Sequence, residues 1–288
     1  MGFETIFMGN ESPFLEVLNN ISKLSGIVCE PVRGTSKKVF GSGYQFAKER
    51  KVEIISPSVF LKNPRSADII IVSGFSRLIP QEVMNSTRVA TVNIHQSLLP
   101  AYRGRHPLNW AIINGEKYTG VTLHHLDESF DEGNIILQKK IKIYDNDTIM
   151  DLYWKTVVKG RELLSTFYRN AKKGNIKGFR QNPSLASYFP PRKPKDGKID
   201  WKESAENIHN LVRALTYPYP GAYFYFQRKK WVIEETQVIR KGPTDSNLGK
   251  PIFYKGDCLV KTGSGFIKIK QLRKRKLIEI KKQNFSTV

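Results

Sequence analysis

Apolar residues run along the chain in two rhythms. In the first part, short apolar runs alternate with stretches where apolar residues recur every three or four positions. The run at 4–9 ends in Gly9, and Ser12 with Pro13 supplies a helix N-cap and a first-position proline. Phe14, Leu15, Val17, Leu18 and Ile21 follow at helical spacing. Strands are predicted at 27–30, 52–55, 68–73 and 91–95, and a helix at 44–50. The segment Asp68-Ile-Ile-Ile-Val-Ser73 is nearly continuous in β-branched residues, the mark of a strand buried on both faces of a parallel sheet. Short strands alternating with helices predict such a sheet, with helices on both sides.

A long helix is predicted from 147 to about 172, with Met150, Leu152, Trp154, Val157, Val158, Leu163, Leu164 and Phe167 as its apolar positions. Positions 181–198, rich in Pro, Lys and Ser, have the composition of a linker. A short helix at 204–215 carries Ile208, Leu211, Val212 and Leu215 on one face. After Tyr217-Pro-Tyr-Pro-Gly-Ala222 the apolar positions alternate through Tyr223, Tyr225, Trp231, Ile233, Val238, Ile252, Leu259 and Ile267. That second rhythm predicts a small antiparallel barrel or sandwich. The expected boundary is near residue 200, giving domains at 1–200 and 201–288.

Composition narrows the function classes. With 40% hydrophobic and 11% aromatic residues, the 288-residue chain can bury a sizeable core. The chain contains no apolar run long enough to cross a membrane, and its first residues lack the basic region of a secretory signal, so a cytoplasmic location without membrane attachment is expected. Cys29 and Cys258 stand far apart with no metal-ligand spacing and are read as buried thiols. The net charge of +21 is the outlier: 22 basic against 9 acidic residues from Ala186 onward put +13 in the last third, including Lys268-Ile-Lys-Gln-Leu-Arg-Lys-Arg-Lys276. A basic surface of this kind attracts polyanions. It is also what a solvated lysine-rich face looks like, because no aromatic residues interleave with these lysines.

Asn93 and His95 are one residue apart in a predicted strand, so their side chains leave the sheet on the same side. Pro100 lies just beyond, and ligands of open parallel sheets bind past the carboxyl ends of strands. Leu126-Asp-Glu-Ser-Phe-Asp-Glu-Gly-Asn134 is an acidic turn from which Asp131 can return toward His95. A carboxylate beside an imidazole raises its basicity and fixes its tautomer, and a carboxamide N–H can stabilise an oxyanion. Such a trio suits deprotonation of an amine attacking a carbonyl, without a metal. By itself, Asn-x-His on a strand is more often a satisfied structural pair.

The surrounding residues change that balance. Asn93-Ile-His-Gln-Ser-Leu-Leu-Pro-Ala-Tyr-Arg-Gly-Arg-His-Pro-Leu-Asn-Trp110, Thr119-Gly-Val-Thr122 and Asp131-Glu-Gly133 closely resemble the folate-dependent formyltransferase family. Gly74-Phe-Ser-Arg-Leu-Ile-Pro80 is similar to that family's folate-binding loop. Lys195-Asp-Gly-Lys-Ile-Asp-Trp201 and the segment at 215–222 are similar to its linker and second-domain entry. The resemblance implies an α/β fold, with a Rossmann-like parallel-sheet formyltransferase domain followed by a small β-rich, OB-like C-terminal domain. It implies Asn93, His95 and Asp131 as catalytic residues and N10-formyltetrahydrofolate as the formyl donor, with no metal. Phe75, Ser76, Arg77, Leu78, Ile79, Leu98 and Phe130 would line the pterin site, and Arg103 would pin the Leu-Leu-Pro turn. Gln96 departs from the family pattern, which usually has a small residue or proline there.

The segment Tyr102-Arg-Gly-Arg-His-Pro-Leu-Asn-Trp110 resembles the nucleotide-sugar members more than the tRNA members. It implies a nucleotide-linked amino sugar as acceptor, contacted by Tyr102, Arg105 and Asn109. An arginine suits a diphosphate because its planar fork pairs with two oxygens at once. Methionyl-tRNA formyltransferase acting on initiator tRNA is the alternative, favoured by the basic last third and by Val32-Arg-Gly-Thr-Ser-Lys-Lys38. A non-catalytic homologue that binds RNA is a third reading, against which the intact trio counts. The resemblance is compatible with a homodimer.

Overall fold

The computed structural model describes residues 2–31 and 42–273. The basic loop at 32–38 and the run beyond Arg273 lie outside them. The chain divides into two compact units, whose described residues lie within 1–107, 118–142 and 154–189 for the first and within 108–117, 143–153 and 190–273 for the second. The second unit thus begins at Pro190 and takes in two earlier segments.

The first unit is built on a seven-stranded sheet. Its strands are β1 (Glu4–Gly9), β2 (Lys23–Val28), β3 (Ile54–Ile55), β4 (Ala67–Ser73), β5 (Thr87–His95), β7 (Tyr118–His125) and β8 (Ile135–Lys142), in the order β3-β2-β1-β4-β5-β7-β8. The pairings from β3 through β5 are parallel. The sheet is not parallel throughout: β7 runs antiparallel to β5, and β8 antiparallel to β7. The shorter pair β6 (Arg103–Gly104) and β9 (Tyr188–Phe189) is parallel.

Helices α1 (Ser12–Ile21), α2 (Gly43–Arg50), α3 (Pro57–Lys62), α4 (Gln81–Asn85) and most of α6 (Ile149–Ala171) also belong to this unit. Helix α1 begins at Ser12 with Glu11 as the cap residue, one position earlier than the Ser–Pro signal suggests. Ser42 caps α2 by accepting from the Gln45 amide. One core cluster packs Ile6, Met8, Ile70 and Val72 against Val28, Phe60 and Val83.

The second unit carries an antiparallel sheet of β10 (Ala222–Phe226), β11 (Lys229–Ile239), β12 (Pro251–Tyr254), β13 (Asp257–Lys261) and β14 (Phe266–Leu272), ordered β10-β11-β14-β13-β12. Helix α7 (Ala205–Ala214), capped by Ser204, buries Ile208 and Val212 against Trp231, Ile233, Val260 and Ile267 of that sheet. Helix α5 (Pro107–Ile113) lies in this unit save for its first residue. Burial pushes the Cys258 thiol up to about 12 and, with Glu30 nearby, the Cys29 thiol up to about 11, so both are inert. No described helix is long and apolar enough to cross a membrane.

Candidate active site

Strand β5 ends at His95, at the carboxyl edge of the parallel strands, with Val72 of β4 beside Asn93. Across β5 on the other side, Asn93 faces His124 and His95 faces Thr122 in the antiparallel register with β7. Directly opposed residues share a face, so Asn93, His95 and His124 emerge together.

Asp131 completes the cluster. Its Oδ1 lies 3.4 Å from His95 Nδ1 and accepts from Asn93 Nδ2 at 3.3 Å, and its Oδ2 accepts from the Gly104 amide at 2.9 Å. The residue adopts φ of 58°, in the left-handed region that Asp tolerates better than most side chains. Gly133 is required for the loop to return: a Cβ there would sit 1.8 Å from the His125 carbonyl oxygen. The His95 ring is buried, and its Nε2 lies 2.8 Å from the Tyr102 carbonyl oxygen. A carbonyl only accepts, so Nε2 carries the hydrogen and the lone pair of the neutral ring is on Nδ1, toward Asp131.

Electrostatics follow from this arrangement. Burial pulls His95 below the ordinary histidine range, while Asp131 and the Tyr102 carbonyl pull the other way without overcoming it. Burial opposes ionisation of Asp131, but His95 and the hydrogen bond from the Gly104 N–H hold its carboxyl well below the usual carboxylate range. The resting site thus holds an anion beside a ring that burial keeps neutral. A proton added at Nδ1 gives an imidazolium whose two N–H groups already have acceptors.

Two further residues support the trio without a sequence motif to mark them. Gln181, 5% exposed, donates from Nε2 to the carbonyl oxygens of Asp131 (2.7 Å) and Gly133 (2.8 Å). Its Oε1 accepts from Arg103 Nε (3.1 Å) and Nη2 (2.8 Å). Buried Arg103 also reaches Tyr188 and Glu132, so it ties the acidic loop to the 181–189 segment. That segment is no free linker: Ser187 accepts from the Tyr102 amide, and Phe189 stacks on the Tyr102 ring at 4.6 Å. The second support is His124, with Nε2 3.0 Å from Asn93 Nδ2.

The expected pterin-site residues divide. Phe75 and Ile79 pack on the core, whereas Leu78 and Phe130 are 64% and 61% exposed. Arg77 pairs with Glu30, and the Ser76 carbonyl accepts from Arg105 Nη2 at 2.6 Å. Phe75, Leu78, Asn93, His124, Phe130 and Asp131 line one cavity of ≈ 90 Å³. Leu98 is not among its lining residues and covers Gly120, where a Cβ would meet Leu98 Cδ2 at 2.4 Å. Tyr102 turns with φ of 60° to bring its carbonyl to His95. Asn109 is 1% exposed and donates to the Ala214 carbonyl, so its amide is committed to packing in the second unit. Nε2 of Gln96 is buried without a hydrogen-bond partner. Among the described residues, no group of three His, Cys, Asp or Glu is placed to hold a metal.

Known proteins share this architecture. The formyl transferase model matches residues 35–167, and the model for the formyl transferase C-terminal domain matches 192–286. The chain is 32% identical over 250 residues to a methionyl-tRNA formyltransferase of Caldanaerobacter subterraneus subsp. tengcongensis, covering 84% of this chain and 80% of that protein. It is 42% identical over 171 residues to the bifunctional polymyxin resistance protein ArnA of Wigglesworthia glossinidia brevipalpis, covering 59% of this chain but only 26% of that protein. Among solved structures, the N-formyltransferase of Helicobacter canadensis in complex with folinic acid and dTDP-3-aminofucose matches with a TM-score of 0.74 at 23% identity, over 95% of this chain and all of that one. WlaRD, a sugar 3N-formyl transferase solved with dTDP and 5-N-formyl-THF, matches with a TM-score of 0.73 at 23% identity, over 96% and 100%. At such identities these two likenesses concern the fold.

Proposed function

The chain belongs to the formyl transferase family and is a formyl-transferring enzyme, and from that premise we propose that it moves a formyl group from N10-formyltetrahydrofolate to the amine of a nucleotide-linked amino sugar. The observation that carries the chemistry is the convergence of Asn93, His95 and Asp131 at one sheet edge. In this reading the amine attacks the formyl carbon. Asn93 donates an N–H to the carbonyl oxygen as it becomes anionic. His95 takes the amine proton at Nδ1, and Asp131 stabilises the imidazolium that results. The tetrahedral intermediate then collapses: its C–N bond to the folate nitrogen breaks as the His95 imidazolium returns the proton to that nitrogen, which leaves tetrahydrofolate, the formylated amine and a neutral His95. The pterin lies between the Phe75–Ile79 loop and Phe130. Exposed Leu78 and Phe130 move apart to admit it, since a cavity of ≈ 90 Å³ is below the roughly 300 Å³ at which small-molecule sites usually begin.

What supports the sugar is the Tyr102-Arg-Gly-Arg-His segment and the fold shared with a protein solved with dTDP-3-aminofucose. We assign Tyr102 and Arg105 to the sugar and diphosphate. Arg105 would then exchange the Ser76 carbonyl for phosphate oxygens. Asn109 has no part in this assignment, because it is buried and its Nδ2 donates to the Ala214 carbonyl. The second reading, transfer to methionyl-tRNA, draws on relatives with that name matched over most of their length and on the basic last third. A non-catalytic RNA-binding role has no use for the buried trio.

The deciding experiment supplies 10-formyltetrahydrofolate with a panel of amino-nucleotide sugars, with methionyl initiator tRNA, and with no amine. Transfer to a sugar with a shallow salt dependence is expected. A tRNA held by several phosphates would instead lose affinity steeply with salt, with a log–log slope on the order of −0.7 to −0.9 per phosphate contact. Transfer to methionyl-tRNA and to no sugar would overturn the acceptor. Release of tetrahydrofolate at full rate without any amine would make the enzyme a hydrolase.

A further inference from the structure

Asn93 and His124 sit opposite one another in the β5–β7 register, and His124 is 2% exposed. Its Nδ1 lies 2.8 Å from the carbonyl oxygen of His125. Because that oxygen can only accept, Nδ1 carries a hydrogen, and in the tautomer with its one hydrogen there Nε2 carries a lone pair. The lone pair is 3.0 Å from Asn93 Nδ2, within range of an N–H donor. A carboxamide fits its surroundings almost equally well in two orientations, related by a half turn that exchanges oxygen and nitrogen. Here only one of them makes the bond, since the other sets the amide oxygen against a lone pair. The second Nδ2 hydrogen points at Asp131 Oδ1 at 3.3 Å, a longer contact that can be given up to a developing oxyanion.

We infer that His124 is a positioning residue for formyl transfer. As the Nδ1–H tautomer it accepts from Asn93 and keeps the N–H edge of that amide, not its carbonyl, in the cleft shared with His95 and Asp131. The inference rests on the role proposed above for Asn93. Removing the acceptor leaves the amide held only by the longer contact to Asp131 and able to turn, and a turned amide presents an oxygen where negative charge develops. The polar groups facing His124 are Asn93 from β5, Asp131 from its loop at 3.7 Å, and the His95 ring at 6.4 Å. Its partner on β8 is the apolar Ile135. The ordinary alternative is that His124 merely fills a buried polar position.

Two measurements separate these readings. Long-range proton–nitrogen correlation on the uniformly labelled chain reads the tautomer without any acceptor present. A protonated Nδ1 and bare Nε2 are expected, and a protonated Nε2 overturns the inference even if formyl transfer itself is correct. In kinetics, His124→Gln retains an oxygen acceptor near the former Nε2, whereas His124→Phe has none. His124→Phe should lower kcat by about 30- to 100-fold with the KM for folate changed less than about 3-fold, and His124→Gln should recover most of that loss. In an Asn93→Ala background, His124→Phe should change kcat by less than about 2-fold, because no amide remains to orient. A structural role would carry the same loss into that background and lower thermal stability equally in both substitutions, and this outcome too would sink the idea.

Discussion

Gln181→Met tests how strongly the acidic loop depends on a residue outside it. The substitution keeps length and burial but removes four hydrogen bonds, two to the carbonyl oxygens of Asp131 and Gly133 and two from Arg103. Two carbonyl groups then lose a buried donor, at about 1–3 kcal/mol each. The Arg103 guanidinium loses an acceptor but keeps Tyr188 and Glu132, which limits its share. Allowing for relaxation, we expect a total of about 3–5 kcal/mol, in the range for breaking a buried polar network. For a unit of this size each kcal/mol moves the midpoint by about 2–4 °C, so the first unit should unfold about 6–20 °C earlier by differential scanning calorimetry. Turnover should fall as well, because Asp131 is held in a left-handed conformation that its surroundings must enforce. Gln181→Glu sharpens the test: it keeps an acceptor for Arg103 but turns an anion toward two carbonyl oxygens. Its turnover should fall at least as far with a smaller midpoint shift. A Gln181→Met protein that unfolds within about 2 °C of the parent and turns over normally would refute this account of the loop.

Other outcomes follow from the same geometry. His95→Ala should cut kcat by about two to four orders of magnitude, and Asn93→Ala combined with it should cost little beyond the single change, because the two groups act in one step; additive losses in steady-state assays would count against a shared step. His95 must be neutral to take a proton, and burial holds it below the ordinary histidine range, so kcat/KM should be flat near neutrality and fall only as the pH drops through that lowered value. Asp131→Asn removes a charge that raises the His95 pKa, so the acid limb of the pH–rate profile should move to lower pH; a move upward would mean that Asp131 acts otherwise. The same two groups set the sign for stability: both bind protons more weakly folded than unfolded, so stability is lost on acidification, first through the histidine range and then below the ordinary carboxylate range, as acid titration of the midpoint would register. Gly133→Ala places a Cβ 1.8 Å from the His125 carbonyl and must displace the loop, so turnover should drop at least about 30-fold; near-normal kinetics would show that the loop can shift without harm.

Much of the site was legible because periodicity carries geometry. Two positions apart on a strand means one face, and the strand's carboxyl end in a parallel sheet is where ligands bind, so Asn93 and His95 could be paired from the sequence. The antiparallel turn of the sheet was not legible in the same way. Positions 119–125 alternate too little to announce a strand direction, and without the β5–β7 register nothing sets His124 opposite Asn93. Gln181 was hidden for a different reason. It opens a stretch whose Pro, Lys and Ser content reads as linker, yet burial is decided by Phe189 on Tyr102 and by Gln181 beneath the acidic loop. Asn109 shows the reverse error: an amide in a functional-looking motif is consumed by a backbone carbonyl supplied some hundred residues later, a partner no local pattern reveals.

The resting network also bears on the order of chemical events. His95 already faces an acceptor at each nitrogen, so proton uptake asks for no rearrangement of its partners. With His124 as inferred above, both hydrogens of the Asn93 amide have acceptors, and the proposed mechanism requires one to leave Asp131 to serve the oxyanion. The two changes assist one another. Once His95 is protonated, Nδ1–H supplies Asp131 Oδ1 with a charged donor, and the contact from Asn93 becomes the dispensable one. Release of that hydrogen then coincides with the appearance of negative charge on the formyl oxygen. In the proposed mechanism, a carboxylate shared between the base and the oxyanion donor thus links proton removal to charge stabilisation. It also gives a physical reason for Asp131 to be held from several sides, by the Gly104 amide, by Gln181 through its carbonyl and by Gly133 behind it.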